Sequence, residues 1–109
     1  MLRQEIEQRD QALQLANHVR KTRADVKREL RELNRADGLL RAAEIVEAPI
    51  VEMEGMKVEM LLRSVYRIGD AKVHRLMVQA NIASQRTIGG ITSRQRALLV
   101  RLLRGEDIV

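Results

Sequence analysis

Apolar residues recur at helical spacing in every long segment of this chain, and nowhere do they alternate as a half-buried strand would require. From Leu2 to Leu33 there is no glycine or proline, and the residues are mostly strong helix formers. Ala12, Val19, Val26 and Leu33 repeat every seven, with Ala16 and Leu30 beside them. This predicts one long helix with a thin apolar seam. The seam is short, diluted by alanine, and carries Arg23 where an apolar residue would help, so packing against its own domain is favoured over a coiled-coil dimer. Asn34 to Gly38 interrupts the pattern. A short helix through Leu39, Leu40, Ala43 and Val46 follows, with Asp37 as its expected N-cap, and Pro49 then marks an irregular linker to Gly55.

Two facing stripes come next. Val58, Leu61, Leu62 and Val65 fall at i, i+3, i+4 and i+7, and Val73, Leu76, Met77 and Ala80 repeat that spacing. They predict helices over 56–65 and 70–81, joined by the tight reversal Tyr66-Arg67-Ile68-Gly69-Asp70. Gly69 can take positive φ at low cost, and Asp70 is the expected N-cap of the second helix. Asn81-Ile82-Ala83 ends that helix, Ser84 can cap a short turn, and Gly89-Gly90 reads as a flexible loop. Thr92 and Gln95 have the spacing of a capping box. They open a last helix that buries Leu98, Leu99, Leu102 and Leu103. The fold class is all-α. Residues 1–35 form a long basic helix, 36–54 a short helix with an acidic linker, and 55–109 a compact helical domain. The apolar stripes of 56–103 imply a core that stands without residues 1–33.

Charge adds a direction. The net charge of +5 over 109 residues is unevenly spread. Residues 1–35 carry nine basic and six acidic groups, residues 36–55 one and five, and residues 56–109 ten and four. Two basic ends flank an acidic connector, which favours a polyanionic partner. Tyr66 is the only Phe, Trp or Tyr residue, which argues against a stacking platform for single-stranded nucleic acid. With no cysteine there is no disulfide, thiol catalysis or thiolate metal site. No apolar run approaches the roughly 20 residues of a membrane span, and the N-terminus lacks a signal-peptide core. The expected location is cytoplasmic, with no membrane partner.

The candidate site is the Gly69 turn. A helix that starts after a tight glycine turn points free backbone N–H groups outward, where an anion is welcome. Ile68, Gly69, Asp70 and Ala71 supply the backbone of that site, and Arg67, Lys72 and Arg75 surround it, with Lys57 as a further cation. On the long helix, Arg20, Lys21, Lys27, Arg28 and Arg31 offer a second contact, although Asp25, Glu29 and Glu32 at i,i+4 spacing absorb part of that charge. His18 and His74 have no ligand-spaced partners, and Glu106-Asp107 has no shaped site around it. No catalytic, nucleotide or metal signature is present. The expectation is a binding protein, not an enzyme, with no cofactor and no metal.

The ordered segments GMKVEMLL, IGDAKVHRLM, NIASQR and SRQRALL resemble the actinobacterial integration host factors, and the resemblance covers residues 55–103. It implies a long N-terminal helix followed by a helix-two-turns-helix module of the ribosomal protein S13 type. It also implies binding of double-stranded DNA with little sequence preference, DNA bending or compaction, a nucleoid location, and assistance to site-specific recombination by a phage integrase acting on the same DNA. Carried over by position, Gly69 is the turn glycine near phosphate, Arg86 begins an arginine-rich loop, and Arg94 and Arg96 lie in the retained SRQR segment. The chain departs from the family at Tyr66, where proline is usual, at Asp70, where a basic residue is usual, and at Thr87 and Gly89, where the family has loop arginines. Fewer loop cations should weaken insertion into a minor groove. Such divergence fits a phage-encoded or paralogous relative.

Two other readings share parts of this evidence. The same turn would serve an RNA-binding or ribosome-associated module. Alternatively, the long helix would make a dimer or a partner bundle, the basic charge being incidental. A monomer is the first expectation, with a dimer through the long helix as the alternative.

Overall fold

Six α-helices and one 3-10 turn succeed each other along residues 2–106, the part of the chain described in this computed structural model. They are α1 (Arg3–Glu32), α2 (Arg35–Glu47), α3 (Val51–Glu54), α4 (Val58–Arg63), α5 (Asp70–Gln79) and α6 (Ser93–Leu103), with the 3-10 turn at Ile88–Gly90 between the last two. No strand occurs among the described residues, only an isolated antiparallel bridge between Lys57 and Thr87. Asp107, the partner of Glu106 in the sequence, lies outside the described residues.

One core joins these elements. Leu30 of α1, Ala42, Ala43 and Val46 of α2, Met53 of α3, Leu61 and Leu62 of α4, Val73 and Leu76 of α5, Ile88, and Leu99 and Leu103 of α6 are all buried in it. The most extensive packing is between α2 and α6. The acidic connector is therefore part of the domain's wall. With no large aromatic side chain to fill it, the core is built of branched aliphatics and methionine, which interdigitate at close spacing.

The 30-residue α1 leaves the domain. At 1.5 Å per residue it is about 45 Å long, and the molecule measures 60 × 29 × 21 Å. Its seam packs on its own domain only toward the C-terminal end. Val19, Arg23, Val26 and Lys27 are half-buried, and Leu30 is fully buried. Before Val19 every described residue is exposed, Leu13 and Leu15 among them. Arg23 sits at a half-buried position because its Nε donates to the Glu52 carbonyl at 2.8 Å. That carbonyl is in the last turn of α3, where no intrahelical partner exists. Gly55 makes room for this guanidinium, since a Cβ there would stand 2.7 Å from it. Leu30 is thus part of the same core as the apolar stripes of residues 56–103, and it bears against the expectation that this core stands without residues 1–33.

Several local expectations change. The break after α1 is confined to Leu33 and Asn34. Asn34, not Asp37, caps α2: its Oδ1 accepts from the Asp37 N–H at 2.9 Å. Gly38 does not end anything; it is buried inside α2, where a Cβ would lie 3.1 Å from Val65 Cγ1. The stretch after Pro49 is not irregular throughout, because α3 forms there to bury Met53. Helix α4 is shorter than 56–65, with Ser64 turning its end: the Ser64 Oγ donates to the Met60 carbonyl at 2.9 Å. Gly89-Gly90 is part of a 3-10 turn, and glycine is needed at 89 because a Cβ would come 3.2 Å from the Glu54 carbonyl oxygen.

Helix α5 ends in a Schellman motif. Ile82 N–H donates to Met77 at 2.9 Å and Asn81 N–H to Val78 at 3.0 Å, with Asn81 at φ +58°. The capping box of α6 is complete. Thr92 Oγ1 accepts from Gln95 N–H at 3.1 Å, and Gln95 Oε1 accepts from Thr92 N–H at 2.8 Å. In α6, Leu99 and Leu103 are buried, Leu98 and Leu102 partly so, and Val100 joins them.

Candidate nucleic-acid interface

Six residues separate α4 from α5, and each has an assigned place. Val65 N–H donates back to Leu62, and Tyr66 N–H to the Leu30 carbonyl of α1. Arg67 adopts φ +52°, a left-handed conformation that costs a side-chain-bearing residue about 1–2 kcal/mol. Its guanidinium lies over the Tyr66 ring, 5.2 Å from the centroid, a cation–π contact that helps hold it there. Ile68 is buried and pins the turn to the core. Gly69 then takes φ +76° and ψ 150°, a region open essentially to glycine alone.

Gly69 is the N-cap of α5, and no side chain caps the helix. This corrects the role expected of Asp70, which is the first helical residue and has its carboxylate turned to Arg63. The N–H groups of Asp70, Ala71 and Lys72 belong to the first turn, which has no intrahelical acceptor, and the helix dipole adds partial positive charge there. Apart from its two chain neighbours, nothing lies within 4 Å of where a Gly69 Cβ would stand. Beyond Ile68 and Asp70, no side chain closes over this helix start.

Arg63 lies between two carboxylates. It meets Glu59 at 2.7 Å on its own helix and Asp70 across the turn. Its pKa is raised, first by the hydrogen bond with Glu59 and then by that with Asp70. Arg63 lines the small cleft at the turn together with Arg67, Gly69 and Asp70. It also lines the end of a longer groove between α1 and α4, whose walls include Arg20, Lys27, Arg31 and Lys57 over a floor of Ala16, Val19 and Met60. The isolated bridge explains why Lys57 is here. Val58 N–H donates to the Arg86 carbonyl at 3.0 Å and Ile88 N–H to the Met56 carbonyl at 2.8 Å, fixing the segment before α4 against the loop after α5.

The structure sorts the sequence candidates. Among the described residues Lys57, Lys72, Arg75, Arg86 and Arg94 have no carboxylate partner, and Arg86 and Arg94 are exposed. Arg96 is different. It is half-buried, and its guanidinium donates to the Val46 carbonyl at 2.6 Å and the Ile88 carbonyl at 2.9 Å, tying α2 and the 3-10 turn to α6. The expected surface contact is a strut of the fold. On α1, Arg20, Lys27 and Arg31 line the groove, whereas Lys21 does not and Arg28 pairs with Asp25 on the helix surface. Arg63 was absent from the sequence candidates. Its signal is the Glu59–Arg63 spacing of i,i+4, which reads as an ordinary helix pair until the turn brings Asp70 to it.

His18 lies 3.4 Å from Glu52. Among the described residues no three His, Asp or Glu side chains gather as metal ligands would, and no helix is long and apolar enough to cross a membrane.

Two helices joined by a turn that buries its middle and opens a helix on glycine, held on a long basic helix, define an all-helical protein of the helix-two-turns-helix class. A family model for the S13-like H2TH domain matches residues 43–102, more than half of the chain, and the chain belongs to that family. The match begins inside α2, consistent with the packing of α2 on α6. The solved structure of sIHF bound to an 8-bp palindromic DNA is similar as a whole: 27% identity and a TM-score of 0.63, over 83% of this chain and 98% of that one. No curated protein matches the sequence.

Proposed function

We propose that this protein binds double-stranded DNA through its phosphate backbone, with little sequence preference, and that it bends or compacts the duplex. The observation that carries this reading is the start of α5: an uncapped helix N-terminus opened by Gly69 at φ +76°, with Lys72 and Arg75 on the same helix free of carboxylate partners among the described residues. The similarity to a protein solved with DNA supports it. Backbone N–H groups of Gly69, Asp70, Ala71 and Lys72 hold a phosphate, with Arg67 beside them. Arg86 and Arg94 add contacts on the loop and on α6, and Arg96 holds the fold. The groove cations Arg20, Lys27, Arg31 and Lys57 form a second contact, for the same duplex or a neighbouring one. The protein is a monomeric binding module without catalysis, associated with the nucleoid, and DNA shaped in this way assists a recombinase such as a phage integrase.

The test is a salt titration of binding to a short duplex, with a matched double-stranded RNA in parallel. With on the order of five phosphates neutralised, log K against log salt has a slope near −4 to −5. A flat response sinks the reading, and equal or tighter binding to the RNA favours an RNA partner.

A further inference from the structure

Asp70 is the first residue of α5, and it holds Arg63. Its side chain is 89% exposed, it begins α5 beside the uncapped N–H groups, and its carboxylate bonds the Arg63 guanidinium across the turn. Glu59 takes the other edge of the same guanidinium at 2.7 Å. One cation thus faces two anions where it lines both the turn cleft and the α1–α4 groove. An exposed ion pair of this kind is weak and readily exchanged. A carboxylate at the first position of a helix is favourable for the helix itself. The same charge opposes a second anion at those N–H groups, because like charges a few ångströms apart repel even in water.

We propose that Asp70 sets the strength of DNA binding by acting as a resident anion. It competes with the incoming phosphate at the start of α5 and keeps Arg63 from contributing a phosphate contact. This rests on the reading of the Gly69 turn as a phosphate site. In the free protein Arg63 is neutralised within the turn. Once Asp70 is uncharged, Arg63 keeps only Glu59, which satisfies one edge of the guanidinium and leaves the other to bind phosphate.

The experiment compares the full chain with Asp70→Asn, Arg63→Ala and the double variant, measuring duplex affinity across a salt series and checking folding by circular dichroism. Asp70→Asn binds about five- to tenfold more tightly, and its salt slope steepens by about one unit, the signature of one added phosphate contact. Arg63→Ala alone leaves the salt slope unchanged and lowers affinity, because Asp70 and Glu59 then face the phosphate without their counter-charge. In the double variant the extra slope is lost while part of the affinity gain, due to relief of repulsion, remains. A merely structural role for Asp70 would move the melting temperature and leave the slope unchanged. If the wild-type chain binds duplex with a steep salt slope and Asp70→Asn matches it in affinity and slope, this proposal is overturned and the phosphate reading stands. If no folded variant binds duplex, the phosphate reading itself fails.

Discussion

The Tyr66 N–H donates a hydrogen bond to the Leu30 carbonyl oxygen at 3.2 Å. Leu30 is in the last turn of α1, where carbonyls lack intrahelical partners, and Tyr66 begins the reversal that presents Gly69. The long helix is therefore fastened to the turn as well as to the core, through the backbone and the side chain of one residue. Residues 36 positions apart in sequence fix the inner end of the arm and the start of the site together.

Leu30→Ala tests that fastening. The side chain is fully buried, so truncation should cost about 2–5 kcal/mol through lost transfer energy and the cavity left behind. A urea midpoint shifted down with an unchanged m-value is the expected result. For the same reason, deletion of residues 1–33 should yield a poorly folded protein. A truncated protein as stable as the full chain would show that α1 only rests on the domain.

Gly69→Ala isolates the backbone requirement. The added Cβ has nothing beyond its chain neighbours within 4 Å to strike, so the cost should be local conformational strain, about 1–3 kcal/mol. Measured where circular dichroism shows the variant folded, duplex binding should also fall, because relaxing φ away from +76° re-aims the first N–H groups of α5. Normal affinity in a folded variant would detach the turn from DNA.

The elements were legible because periodicity and caps are local properties. The Thr92–Gln95 box, the positive φ at Gly69 and the length of α1 all follow from residues within a few positions of each other. What was hidden depends on distant partners. Arg96 reads as one more surface cation until the Val46 and Ile88 carbonyls, brought by α2 and the 3-10 turn, claim its guanidinium. Asp37 has the chemistry of an N-cap, and Asn34 wins because the helix extends three residues further back and needs its cap there. Gly89 reads as flexibility in sequence, whereas its purpose is close approach to Glu54. The basic groove was invisible as a groove: Lys57 and Lys27 belong to segments that only the folded domain sets face to face.

Arg94→Ala and Arg96→Ala, two residues apart, should behave oppositely. Arg96→Ala strands two carbonyls that a charged donor satisfied, a loss of about 1.5–3 kcal/mol of stability, with duplex affinity near wild type at temperatures where it remains folded. Arg94 is exposed and, among the described residues, without a carboxylate partner. Its removal should leave the melting temperature within a degree or two, yet weaken binding and reduce the salt slope by about one unit. Weaker binding by folded Arg96→Ala with no loss of stability would return that residue to the interface.

The last prediction separates the two parts of α1. Residues 2–15 are exposed and carry two basic and three acidic groups, so they offer a phosphate backbone no net attraction. The basic positions that line the groove start at Arg20 and face Lys57 across it. Deleting residues 2–15 should therefore leave stability, duplex affinity and salt slope nearly unchanged. Lys27→Gln with Arg31→Gln, which keeps the whole arm, should lower the slope by about two units and abolish bridging of long DNA seen by sedimentation, while Gly69-dependent binding to one short duplex persists. If instead the truncated protein loses bridging and the groove variant keeps it, the exposed arm is the second contact, and its apolar positions, not the groove cations, join one complex to the next.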